Sequence, residues 1–84
     1  MRDRREEIFG VIKQNVLEVL VDLDPKEVTL DKSLVELGAN SVDRVEVAMY
    51  SMEALGLKLS RVELHGVEDL QGLVDVFYEH LAED

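Results

Sequence analysis

The stretch Leu37-Gly38-Ala39-Asn40-Ser41-Val42-Asp43-Arg44-Val45-Glu46 decides how this chain folds. A glycine-bearing loop ends at Asn40-Ser41, and the apolar spacing of a helix begins there. Ser41 therefore sits at or beside a helix N-terminus, where unmade backbone N–H groups and the positive end of the helix dipole favour a phosphate. A hydroxyl so placed admits three roles: a plain helix cap, a nucleophile, or an attachment point for a phosphate-bearing group.

Downstream of the serine, residues 41–55 read as a helix. Val42, Val45, Met49 and Met52 recur at three- and four-residue intervals, with Ala48 and Leu55 beside them, and they are expected to face the core. Val45 is counted among the buried positions, so an aspartate there is expected to unfold the protein. The opposite side carries Asp43, Arg44, Glu46, Val47, Tyr50 and Glu53. Gly56 supplies the C-terminal stop.

Upstream, residues 4–22 predict a first helix with Ile8, Val11, Ile12, Leu17, Val19 and Leu20 as its apolar face. Asp24-Pro25 ends it, because proline disfavours helix at the residue before it. Residues 23–40 form a long connection with a turn at Leu30-Asp31-Lys32-Ser33, and Leu34 and Leu37 are expected to pin it to the core. Loops of this length in small domains are commonly functional. Beyond Gly56, Leu57-Lys58-Leu59 alternates like a strand but has no partner strand, so it reads as an extended connector. Ser60 is placed to cap a short turn of helix over residues 61–64. A last helix follows over about 69–81, with Leu70, Leu73, Val74, Phe77 and Leu81 inward and Glu68 or Asp69 at its start. The predicted fold is an all-α helical bundle: three main helices, one short element and a long first loop.

Eighty-four residues suffice for a single domain spanning 1–84. With no cysteine, disulfides, thiol catalysis and thiolate metal sites are excluded, which suits a cytoplasmic setting. No run is long enough to span a bilayer, so no membrane partner is expected. The formal charge of −10 is unevenly spread: residues 1–32 carry −2 and residues 33–84 carry −8. Such a field repels nucleic acid and steers basic protein patches towards it.

Catalysis by Ser41 is poorly supported. A hydrolase elbow needs glycine two positions either side of the serine, where this chain has Ala39 and Asp43. His65 and His80, the only histidines, lack metal-ligand or triad spacing, so no metal site is expected. As a cap alone, Ser41 would be ordinary.

The stretch from Leu37 to Glu46 resembles the acyl carrier proteins, in which LG-x-[DN]-S-[LV] opens the second helix. The resemblance extends to Asp31-Lys32-Ser33-Leu34 and to Val67-Glu68-Asp69-Leu70, covering roughly residues 6–82. It implies a four-helix bundle with a short third helix. It also implies that Ser41, flanked by Asn40 and Val42, bears 4′-phosphopantetheine derived from coenzyme A by a phosphopantetheinyl transferase. The arm would end in a thiol that holds an acyl group as a thioester, and the protein itself would catalyse nothing. The implied recognition face is Asp43, Arg44, Glu46, Tyr50 and Glu53, with apolar contact at Val47.

Two residues depart from the commonest family pattern: Asn40 replaces an aspartate and Val42 a leucine. Arg44 places a positive charge on a helix that is usually acidic or neutral, which discriminates against some partners. Asn40-Ser41-Val42-Asp43-Arg44, with Tyr50 and Met52, is most similar to the discrete acetyl-donor carriers of polyketide β-branching cassettes. The implied partners are an enzyme similar to hydroxymethylglutaryl-CoA (HMG-CoA) synthase and the acyltransferase, ketosynthase or decarboxylase of such a pathway, met by a monomeric carrier. A general fatty-acid or extender-unit carrier, and an unmodified acidic helical module, are the alternative readings.

Overall fold

Every helix start in this chain is made by a side chain or a loop carbonyl that answers the free N–H groups of its first turn. In the computed structural model, which describes residues 3–82, these starts define α1 (Arg4–Val19), α2 (Ser41–Leu55) and α3 (Leu70–Ala82), with 3-10 turns at Pro25–Glu27 and Arg61–Leu64. Asp3 opens α1 by accepting the Arg5 N–H at 3.0 Å, and Asp69 opens α3 by accepting the Gly72 N–H at 2.8 Å. No strand occurs among the described residues. The fold is all-α, as the periodicity predicts. The expected short third helix takes the form of a four-residue 3-10 turn, so the described residues form three α-helices and two 3-10 turns. Its segment lies between the extended connector at 57–60 and Gly66, whose φ of +90° ends any continuation.

The first helix stops at Val19 rather than residue 22. Leu20 leaves the helical region at φ −105°, ψ 76°, and the Leu23 N–H turns back to the Leu20 carbonyl at 3.0 Å. Val19 and Val21 are β-branched and hold helix weakly, and Pro25 restricts the residue before it. Ile8, Ile12 and Val16 are fully buried along one side of α1; Val16 is a core residue the expected face omitted. On α3, Leu70, Leu73, Val74 and Phe77 are buried as predicted.

The core places α1 at the centre, packed against both α2 and α3, while those two scarcely meet. This arrangement turns α2 by about a third of a turn from its expected orientation. Val47 and Ser51, four residues apart, are the positions at zero exposure, with Ala48, Met52 and Leu55 half-buried beside them. Asn15 on α1 donates to Ser51 Oγ at 3.3 Å and to the Val11 carbonyl at 3.0 Å, so the polar pair is satisfied inside the helix interface. The expected stripe is correspondingly wrong at three positions: Val42 is 63 %, Val45 39 % and Met49 51 % exposed. Apolar spacing misassigned the face because its inner side is marked by a serine and an alanine, while larger apolar residues lie outside.

The first loop is ordered by its own hydrogen bonds. Ser33 and Glu36 cap reciprocally, each side chain accepting the other's backbone N–H at 3.0 Å, and one turn of chain runs from there to Gly38. The expected turn at 30–33 closes one residue earlier, with the Lys32 N–H donating to the Thr29 carbonyl at 3.1 Å. Leu34 and Leu37 pack on the core as expected, together with Val28, which is 2 % exposed and escaped the periodicity. At the other end, Leu57 is buried and Leu59 half-buried, which agrees with an extended connector. The second 3-10 turn is tied to α3 where His80 Nε2 meets Glu63 Oε1 at 3.0 Å. That hydrogen bond, followed by one from the Ser60 N–H, holds the Glu63 carboxyl below its ordinary value. The fold therefore favours the carboxylate: the tie is present above the usual carboxylate range and is lost as pH falls through the lowered value.

Two aspartate substitutions two residues apart separate the faces of α2. Val47→Asp buries an unpaired charge and is expected to abolish the cooperative melting transition. Val45→Asp, at an outward position, is expected to change stability by about 0.5 kcal/mol or less. Thermal unfolding followed by circular dichroism checks both, and reversed effects would place the helix in its other orientation.

Candidate functional site

The site is built at the junction of loop and helix. Gly38 takes φ +98°, a conformation that L side chains rarely adopt, and this lets the chain reverse so that Ala39 turns inward, 7 % exposed. Asn40 then becomes the N-cap of α2. Its Oδ1 accepts the Asp43 N–H at 2.8 Å, while Asp43 Oδ2 accepts the Asn40 N–H at 3.2 Å. The Asn40 carbonyl takes the Arg44 N–H at 3.0 Å. Ser41 is thus the first helical residue and not the cap. Its side chain is exposed, and its hydroxyl makes no hydrogen bond among the described residues.

Two consequences follow for chemistry. With the Asp43 and Arg44 N–H groups engaged, those of Ser41 and Val42 remain as unmade donors of the first turn beside an accessible hydroxyl. A phosphodiester on that hydroxyl is suited by those donors and by the helix dipole. Equally, no base is bonded to the hydroxyl, so the serine is not set up as a nucleophile of its own. His80 is engaged with Glu63 and with the Val76 carbonyl at 2.9 Å, and His65 stands exposed in a connector. Among the described residues, no cluster of three metal-ligating side chains occurs.

Because α2 and α3 scarcely touch, a cleft of about 190 Å³ opens between them beside the serine's turn. Val35, Ala48, Leu64, Val67 and Leu73 supply its apolar lining, and Arg44, Glu68 and Asp69 its charged lining. Arg44 makes no ion pair among the described residues.

Most residues expected to form the recognition face do lie on the outer surface of α2. Arg44 and Glu53 are exposed, Glu46 and Asp43 half-buried, and Tyr50 is 42 % exposed. The Tyr50 hydroxyl donates to Glu46 Oε2 at 3.3 Å. The Glu46 charge, with this hydrogen bond and a weaker contribution from Glu53, raises the phenol above its ordinary value. Val47 is the exception: at zero exposure it cannot supply the apolar contact assigned to it. Val42, Val45 and Met49 are instead large apolar residues exposed on α2, which also carries Glu46 and Glu53. The inward phase of α2 shows in Asn15 of α1, which donates across the interface to the buried Ser51.

Comparison with known proteins agrees with this architecture. Residues 11–77 match the family model described as the phosphopantetheine attachment site. The polyketide biosynthesis acyl-carrier-protein AcpK of Bacillus subtilis is 43 % identical over 75 residues, covering 89 % of this chain and 92 % of that protein. An acyl carrier protein of Rhodococcus erythropolis is 32 % identical over 75 residues, 88 % of this chain and 81 % of its own. Among solved structures, a chain in the crystal structure of the curacin biosynthetic pathway HMG synthase in complex with acetyl donor-ACP superposes with a TM-score of 0.79. Its sequence is 34 % identical, and the match covers 87 % of this chain and 94 % of that one. The chain belongs to the phosphopantetheine-binding acyl carrier family. It is a carrier rather than a catalyst, and its cofactor is covalently bound 4′-phosphopantetheine.

Two measurements check the local geometry. Asn40→Ala removes the cap and is expected to lower stability by about 1 kcal/mol in chemical denaturation. Glu46→Gln removes the anion that disfavours the phenolate, so ultraviolet titration, assigned with Tyr50→Phe, is expected to show the Tyr50 phenol returning towards its ordinary value. An unchanged phenol would separate Tyr50 from Glu46.

Proposed function

We propose that Ser41 is the attachment residue and that the protein is an acetyl-donor carrier for polyketide β-branching. The observation that supports Ser41 is the division of labour at the helix start. Asn40 does the capping, which leaves the serine hydroxyl accessible and unengaged beside two unmade N–H donors. On a phosphopantetheinyl transferase, the Ser41 oxygen attacks the β-phosphate of coenzyme A and gives up its proton, and adenosine 3′,5′-bisphosphate departs. The attached arm supplies the thiol that carries the acyl group.

The donor role draws support from the likeness to AcpK and to the complex of an HMG synthase with an acetyl donor carrier. In this reading the chain, acting as a single-domain cytoplasmic monomer of four-helix carrier type, delivers acetyl to an HMG-CoA-synthase-like enzyme. It receives its acyl group through the acyltransferase, ketosynthase or decarboxylase of the same pathway. The docking surface is the outer face of α2, where Val42, Val45 and Met49 offer apolar contact beside Glu46 and Glu53. The acidic flanks draw a basic rim on the partner.

Intact mass after incubation with coenzyme A, magnesium and a broad-specificity transferase tests the attachment. A gain of one phosphopantetheine in the parent and none in Ser41→Ala is expected; no gain in a parent that also carried none beforehand would refute it. For the donor role, Met49→Asp is expected to lower kcat/KM for acetyl transfer to the synthase by roughly fivefold or more while leaving the melting curve in place. An unaltered rate would move the docking surface elsewhere.

A further inference from the structure

Arg44 is the cationic residue lining the cleft, and neither the cap nor the core explains its charge. It stands on α2 three residues after Ser41, and residues so spaced are neighbours on one helix face, with Cβ atoms about 5–6 Å apart. Helical side chains also lean towards the N-terminus, so the guanidinium covers the turn that begins at Ser41 rather than the one after it. Arg44 at the same time lines the cleft between α2 and α3. It makes no ion pair there among the described residues, although Glu68 and Asp69 line the same cleft. Asp69 is occupied in accepting the Gly72 N–H at 2.8 Å, and Asp43 in capping Asn40 at 3.2 Å.

The charge balance gives this placement its meaning. A phosphodiester adds negative charge to a chain that already carries −10. Glu68 and Asp69, which line the cleft, disfavour a phosphodiester there by like charge. Arg44 shares a helix face with Ser41 and lines the cleft together with Glu68 and Asp69. From these positions we infer that Arg44 holds the phosphodiester borne by Ser41 and turns the attached arm across the mouth of the cleft. There Val35 on the first loop and Val67 after the second 3-10 turn contribute apolar lining. Arginine suits the task better than lysine, since its planar donor fork engages two phosphate oxygens together. Arg44 is on this account a positioning residue for the prosthetic arm. The inference rests on Ser41 as the attachment residue.

The test uses the full chain converted to its holo form, with intact mass establishing that the arm is attached before any further measurement. In the parent, phosphorus-31 NMR is expected to show a phosphodiester resonance that moves when salt is raised, and proton NOEs are expected from the arm's geminal methyls to the methyls of Val35 and Val67. Arg44→Gln should abolish the salt response and reduce those NOEs about threefold, as the loss of an exposed ion pair implies. Arg44→Lys should restore part of both. Arg44 is solvent-exposed, so the variants should melt like the parent. Identical phosphorus shifts and NOEs in parent and Arg44→Gln, or no NOEs in either, would overturn the inference while leaving the attachment intact. A chain that never gains the arm's mass, or gains it in Ser41→Ala, would remove the attachment reading and this one with it.

Discussion

Two hydrogen bonds between the first loop and the last helix hold the architecture in place. The Leu70 N–H donates to the Lys32 carbonyl and the Gln71 N–H to the Leu30 carbonyl, both at 2.9 Å. They answer two of the donors that any helix leaves unmade at its start, and they do so with backbone from a segment forty residues away. The long connection is thereby held across one end of the molecule. Val28, Leu34 and Leu37 pack beneath it, and its last residues deliver Gly38, Ala39 and Asn40 in the conformation that starts α2. The position of the serine follows from this. A looser loop would leave the same sequence motif without a fixed direction.

The second constraint is the satisfied polar pair between α1 and α2. The half-buried Asn15 meets the buried Ser51 at this helix contact, and the pair disfavours a rotation that would leave the Ser51 hydroxyl unmatched. Its effect reaches the opposite side of the helix. Turning Ser51 and Val47 inward turns Val42, Val45 and Met49 outward, so the choice of core residues also composes the exposed apolar stripe of α2. Placing α1 between its two neighbours has a further result. With α2 and α3 held apart, the cleft beside the serine arises from helix arrangement and not from missing side-chain volume.

Much of this was legible in the sequence. The bounds of α2 follow from Asn40-Ser41 and Gly56, because caps and left-handed stops are local chemistry that the residues state directly. The apolar stripe of α3 is equally plain, since four of its large residues face one neighbour. The orientation of α2 was not legible from spacing alone. Valine and methionine outnumber the small residues on its inner face, and apolar periodicity cannot tell a core stripe from a docking stripe on one helix. Val16 and Val28 were missed for related reasons: the first sits at the edge of a broad apolar pattern, and the second lies in a loop where no period exists. The short third element was expected as helix, but its backbone closes in the tighter 3-10 form before Gly66. At the site, the motif singles out Ser41, whereas the assignment of the cap to Asn40 required the geometry.

The exposed valines and Met49 have a colloidal consequence. Apolar groups left in water on a small domain invite contact with another copy of the same surface. Here Glu46 and Glu53 border that surface on each molecule, within a half of the chain that carries −8 of the total −10. Two such faces approaching each other bring like charges together over a distance comparable to the screening length, about 8 Å at physiological ionic strength. A surface with complementary basic groups meets the opposite field. The same set of carboxylates thus disfavours homotypic contact at the stripe and favours contact with a basic surface, a selection made by sign of charge before any side chain packs.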